Sequence, residues 1–179
     1  MLPLRDNPLE RSSFESNPRQ MTKKLVVAWL LAGALDLTLA IALTLIRGGE
    51  VSAMLRFVAS GPFPGAANWG AWGSILGVAV HFALMAIMAA TYAVLWNIMQ
   101  AAREQPLLWG LAYGLLTYVV LDLIIVPLRF PAAWPPKPIS ILTQLFAHLI
   151  LVGAVFALVF SRLQLGHRKL PSLQIAESS

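Results

Sequence analysis

Residues 25–46 read LVVAWLLAGALDLTLAIALTLI, 22 residues with a single formal charge, Asp36. About 20 consecutive apolar residues cross the hydrocarbon core of a bilayer as a helix. Three further runs of this kind follow. Residues 71–96 hold one histidine, residues 107–128 one aspartate, and residues 139–160 one histidine. These runs are continuous and lack the alternation of a barrel strand, so their backbones are satisfied in lipid only as helices. The expected fold is all-α, a polytopic four-transmembrane-helix up-down bundle over residues 25–160.

The composition agrees. Of 179 residues, 58% are hydrophobic and 12% charged, with a mean hydropathy of +0.72. A soluble domain carries about 25% charged residues. The net charge of +5 comes from basic residues beside the apolar runs, where they anchor and orient a membrane protein. No nucleic-acid module is present, and the bilayer is the expected partner. There is no cysteine, which excludes disulfides, thiol redox chemistry, Cys-ligated metal and c-type haem.

The first run is too long for a signal-peptide core and follows a polar leader. Residues 1–24 are expected to form a disordered tail, with Met21 an alternative start. Residues 161–179 form a second tail. Nine Lys and Arg lie on the side of the termini, and four (Arg47, Arg56, Arg129, Lys137) on the other. The positive-inside rule then places both termini in the cytoplasm. Trp69, Trp72 and Trp134 would mark the outer boundary, and Trp29, Trp96 and Trp109 the inner one. Residues 51–60 could lie flat as an interfacial helix that Pro62 and Pro64 break. Residues 129–138 contain four prolines and read as stiff and extended. The short polar connector 97–106 makes spans two and three antiparallel neighbours.

The halves resemble each other as two parallel helical-hairpin repeats. Ala34-Leu35-Asp36-Leu37 matches Val120-Leu121-Asp122-Leu123. Leu55-Arg56-Phe57 matches Leu128-Arg129-Phe130. Ser74-Ile75-Leu76, leading to His81, matches Ser140-Ile141-Leu142, leading to His148. The spacings differ, so the alignment needs gaps.

Asp36, His81, Asp122 and His148 are the ionisable residues inside the spans, one per helix. At about 1.5 Å per residue they lie roughly 9–15 Å below the outer edge, in one layer. Small and polar residues surround them. Ala32, Asp36, Ala40 and Thr44 share a ridge, with Gly33 beside it. Gly73, Gly77 and His81 form a second, Gly110, Gly114, Tyr118 and Asp122 a third, and Ser140, Gln144 and His148 a fourth. The glycines are expected to pack helices closely. Tyr118 and Gln144, one turn from an ionisable residue, would orient it. Met85 and Met88 are read as packing residues. Intramembrane ionisable residues mark functional sites by default, and interhelical structural bonds are the bland alternative.

Several of these segments resemble a widespread family of small bacterial four-helix integral membrane proteins. They are Ala32-Gly33-Ala34-Leu35-Asp36, Leu55-Arg56-Phe57-Val58-Ala59-Ser60-Gly61, Gly77 with His81-Phe82, Tyr113-Gly114, Val126-Pro127-Leu128-Arg129-Phe130-Pro131, and Ala147-His148 with Val152-Gly153. The resemblance covers residues 25–160 and implies a bacterial inner-membrane location. It lends no catalytic role, and no enzymatic signature occurs in the chain.

Three functions stand open on the sequence. The first is an intramembrane binding or permeation site for a proton or cation, with Asp36, His81 and His148 the ligands if a divalent metal is held. Transport through so small a bundle would call for a homo-oligomer. The second is a haem b electron carrier with His81 and His148 as axial ligands and Arg56 and Arg129 meeting the propionates. The third is a non-catalytic assembly or lipid-organising subunit.

Overall fold

The computed structural model describes residues 18–165. Helix α1 (Pro18–Ile46) is followed by the short α2 (Val51–Ala59) and a 3-10 turn (Pro64–Asn68). Helix α3 (Gly70–Ile98) leads through the short α4 (Gln100–Glu104) to α5 (Pro106–Arg129). A second 3-10 turn (Pro131–Ala133) precedes α6 (Pro138–Arg162), whose helix runs on to Leu165. Helices α1, α3, α5 and α6 are the four long enough and apolar enough to cross a membrane. The fold is the expected all-α four-helix membrane bundle, and the spans differ from the apolar runs by one or two residues at most ends.

The exception is the start of α1. Residues 18–24 were expected in a disordered tail, but they are helical, opened by Pro18, whose fixed φ suits a first turn. The reason is tertiary. Lys24 is buried and its ammonium donates to the Phe160 carbonyl at 3.0 Å, 5.9 Å from the centre of the Trp96 ring. It is therefore an internal tie between α1 and α6 rather than a lipid anchor. Residues 1–17 and 166–179, which hold the rest of the two expected tails, lie outside the described residues.

At its other end α1 stops in a Schellman turn. Gly48 takes φ +71°, while Gly49 N–H bonds Thr44 O and Gly48 N–H bonds Leu45 O. Only a residue without a Cβ adopts that backbone at no cost. Helix α2, expected as an interfacial helix over residues 51–60, does form, but it folds back onto α3, with Leu55 against Gly77. Gly73 and Gly77 make this possible. A Cβ at Gly77 would run into the Leu55 carbonyl, and one at Gly73 into the Ala66 carbonyl. These glycines thus admit the loop helix and its 3-10 turn rather than a neighbouring span. Gly110 and Gly114 do admit a span: their missing Cβ positions face the backbone of Gly153 and His148 on α6. Gly33 faces the ring of Phe82 on α3.

The backbones pack closely in three pairs, α1 with α3, α5 with α6, and α1 with α6. Spans α3 and α5, expected as neighbours, meet mainly through side chains. Tyr113 donates to the Met88 carbonyl at 2.8 Å, and its ring meets Tyr92 edge-on at 5.2 Å. The molecule is thus two hairpins, α1–α3 and α5–α6, joined along α1 and α6. At the end of the long loops, the repeat-related Phe57 and Phe130 stack with centroids 4.4 Å apart. At the opposite end the core is aromatic: Tyr92, Trp96, Tyr113, Phe156 and Phe160 are all buried, with Met85 and Met88 in packing roles. Trp96 belongs to this core, and Trp29 and Trp109 pack against it, so the expected inner aromatic belt has turned inward. Trp69, Trp72 and Trp134 are exposed as a belt requires.

Candidate functional site

Each hairpin brings one Asp and one His together. On α1–α3, His81 Nδ1 lies 3.8 Å from Asp36 Oδ2. On α5–α6, His148 Nε2 lies 3.0 Å from Asp122 Oδ2. In both, the first helix supplies the acid and the second the imidazole, as the internal repeat implies. Asp36 is also within electrostatic reach of His148 and Asp122. The four residues form one layer, arranged as two pairs.

The remaining nitrogen of each imidazole has a partner that decides its protonation. His81 Nε2 lies 2.9 Å from the Gly33 carbonyl. A carbonyl only accepts, so this nitrogen carries a hydrogen. His148 Nδ1 lies 2.9 Å from Thr117 Oγ1. The Thr117 hydroxyl donates to Gly114 O at 2.8 Å, so it accepts from His148 Nδ1–H. The hydrogen-bond network therefore assigns the outward nitrogen of each ring as the fixed donor. The carboxylate-facing nitrogen is left to gain or lose the proton. Without that proton its lone pair would oppose a carboxylate, so the His148–Asp122 pair is built to hold one proton between acid and base, while His81 and Asp36, at 3.8 Å, form a looser contact beyond hydrogen-bond distance.

Local backbone geometry serves the second pair. Residues Val119–Ile125, around Asp122, and Ala147–Ala154, around His148, are π-helical. Pro127 lacks the N–H that an α-helix would direct to Leu123 O, and Val126 N–H instead reaches back five residues to Leu121 O. A five-residue turn aligns Thr117 with Asp122, and both meet His148. Wide turns of this kind occur often at functional sites.

The supporting residues divide. Tyr118 meets the His148 ring edge-on, centroids 6.0 Å apart. Tyr118, Asp122 and Gln144 line a cavity of about 790 Å³ at the long-loop end. Thr44 hydrogen-bonds Ala40 O within its own helix and takes no part in either pair. Thr117 and the Gly33 carbonyl were missed in the sequence. A Thr beside Tyr118 gives no signal unless the π turn is known, and a backbone acceptor gives none.

The geometry weighs on the cofactors considered. Among the described residues no three His, Asp or Glu side chains converge as metal ligands, so Asp36, His81 and His148 are not gathered around one point. Haem fits poorly as well, because both nitrogens of each imidazole already face protein partners. Arg129 is engaged with the carbonyls of Gly61 and Ser60, and Arg56 lies 4.0 Å from Glu50, so neither is positioned for a propionate. Comparisons with protein-family models, curated proteins and solved structures give no match to this chain.

Proposed function

We propose that the protein binds and releases protons at two intramembrane His–Asp pairs, exchanging them with the aqueous phase at the long-loop end. The observation that carries this reading is the 3.0 Å contact between His148 Nε2 and Asp122 Oδ2, with Asp122 lining the cavity. The cavity reaches the second pair through Asp122 and would supply its route for water and protons. The aromatic core around Tyr92, Trp96 and Phe160 closes the other route, so the site is open to one side only. Close packing of that kind opposes an open channel and favours a site that exchanges with one face at a time. A proton suits the pairs better than a metal ion, since each offers one carboxylate and one tautomer-fixed imidazole.

The charge count and the family resemblance support a bacterial inner membrane with both termini cytoplasmic, which would direct the cavity outward. The test is proton uptake. Protein in lipid nanodiscs, stepped between pH 8 and pH 5 with an indicator dye, is expected to bind more protons than the Asp36→Asn/Asp122→Asn variant. Equal uptake by the two would contradict the proposal.

A further inference from the structure

The cavity at the long-loop end carries chemistry that proton exchange does not use. Its volume, about 790 Å³, falls within the range of about 300–1,000 Å³ typical of small-molecule sites. Two cations line it: Arg47 from the end of α1 and Lys137 just before α6. Arg47 reaches towards α6, its guanidinium 3.5 Å from Thr143 Oγ1. Among the described residues neither cation has an acidic partner. Beside them the side chains of Tyr118, Gln144 and Asp122 bring a hydroxyl, an amide and a carboxylate to the cavity. Phe57, Trp134, Pro135 and Pro136 complete its walls, and the wall residues Leu123 and Ile139 are exposed.

The parts suggest an amphiphile with an anion between two polarities. Two cations lining one cavity beside the ends of the spans suit a phosphate. The polar side chains beyond them, Tyr118, Gln144 and Asp122, suit a hydroxyl-bearing headgroup. The exposed apolar flanks of α5 and α6 suit hydrocarbon chains. We propose that the cavity binds an anionic, hydroxyl-bearing phospholipid, its phosphate held by Arg47 and Lys137 and its headgroup directed towards Asp122, Tyr118 and Gln144. The site shares Asp122 with the second proton pair, but the cations that would hold the phosphate belong to neither pair.

Native mass spectrometry and thermal unfolding of detergent-purified protein, titrated with dimyristoyl phosphatidylglycerol, test this. Dimyristoyl phosphatidylcholine and free glycerol phosphate serve as comparison ligands. Phosphatidylglycerol should bind and raise the melting temperature, and the other two should bind at least roughly tenfold more weakly. Arg47→Gln/Lys137→Gln should lose roughly tenfold or more in phosphatidylglycerol affinity, from about 1 kcal/mol per cation, while keeping its helical circular dichroism. Asp36→Asn, which disables the proton pair that does not line the cavity, should keep the phosphatidylglycerol affinity, so the two proposals can fail separately. Equal binding of the two lipids would overturn the inference. So would an unchanged affinity in the double variant. Free glycerol phosphate binding as tightly as the lipid would show a soluble phosphate ester as the ligand and overturn the lipid assignment.

Discussion

Truncating Asp122 or His148 to Ala should each lower the unfolding free energy by about 3–5 kcal/mol, the cost of leaving one member of a buried pair uncompensated. Truncating both should cost less than the sum. His148 is 12% and Asp122 19% exposed, and they meet at 3.0 Å, so both are largely shielded, with Asp122 reaching water through the cavity. His148 remains tied to Thr117, which holds the ring in place when the carboxylate is gone. The double-mutant cycle should return a coupling well above 1 kcal/mol, within the range of about 0.5–3 kcal/mol for residues in contact. Ordinary interhelical hydrogen bonds in membranes average about 0.6 kcal/mol. A coupling at that level would reduce the pair to helix–helix glue. Reversible unfolding in mixed micelles measures all four corners of the cycle.

Gly114→Leu should be as damaging and more selective. A Cβ at this position would meet the His148 carbonyl and the Leu149 Cα. Both are backbone atoms of a helix, so relief requires α6 to move away from α5. Overpacking of this kind costs about 1–3 kcal/mol and more where backbone must shift. The displacement carries His148 with it and should break its contacts with Thr117 and Asp122. The first pair lies in the other hairpin and should survive. Gly33→Ala offers the comparison. Its Cβ would meet the far edge of the Phe82 ring, which can rotate aside, so a smaller loss is expected. Thermal unfolding, with histidine resonances reporting each ring separately, distinguishes the two. Loss of both pairs together in Gly114→Leu would argue against independent hairpins.

Much of this is legible in the amino-acid sequence alone. Hydrocarbon has only one way to satisfy a helix-length apolar run, so residues 25–46, 71–96, 107–128 and 139–160 announced the spans. The polar layer was legible for the same reason: in a chain this apolar, Asp36, His81, Asp122 and His148 stand out. Their pairing was visible only as a repeat of acid then imidazole in each half. The rest depended on contacts distant in sequence. Lys24 looked like a headgroup anchor because its acceptor, the Phe160 carbonyl, is 136 residues away. Trp96 reads as interfacial because its position near a span end does not show that Lys24 of α1 and Phe160 of α6 pack against it. Gly73 and Gly77 carried the spacing of a helix contact, yet what approaches them is the folded-back loop. Thr117 was hidden by an assumption of α-helical period, which the π turn before Pro127 breaks.

The central claim is that two histidines are held with the outward nitrogen as a fixed donor and the carboxylate-facing nitrogen as the proton-exchanging atom. Nitrogen-15 NMR of histidine-labelled protein in lipid bilayers, recorded across the pH range, tests it most directly. His148 Nδ1 and His81 Nε2 should stay protonated throughout. Changes of protonation should be confined to His148 Nε2 and His81 Nδ1, and Asp122→Asn should alter the first without altering the second. The opposite tautomer in either ring, or His148 insensitive to the loss of the Asp122 charge, would contradict the account.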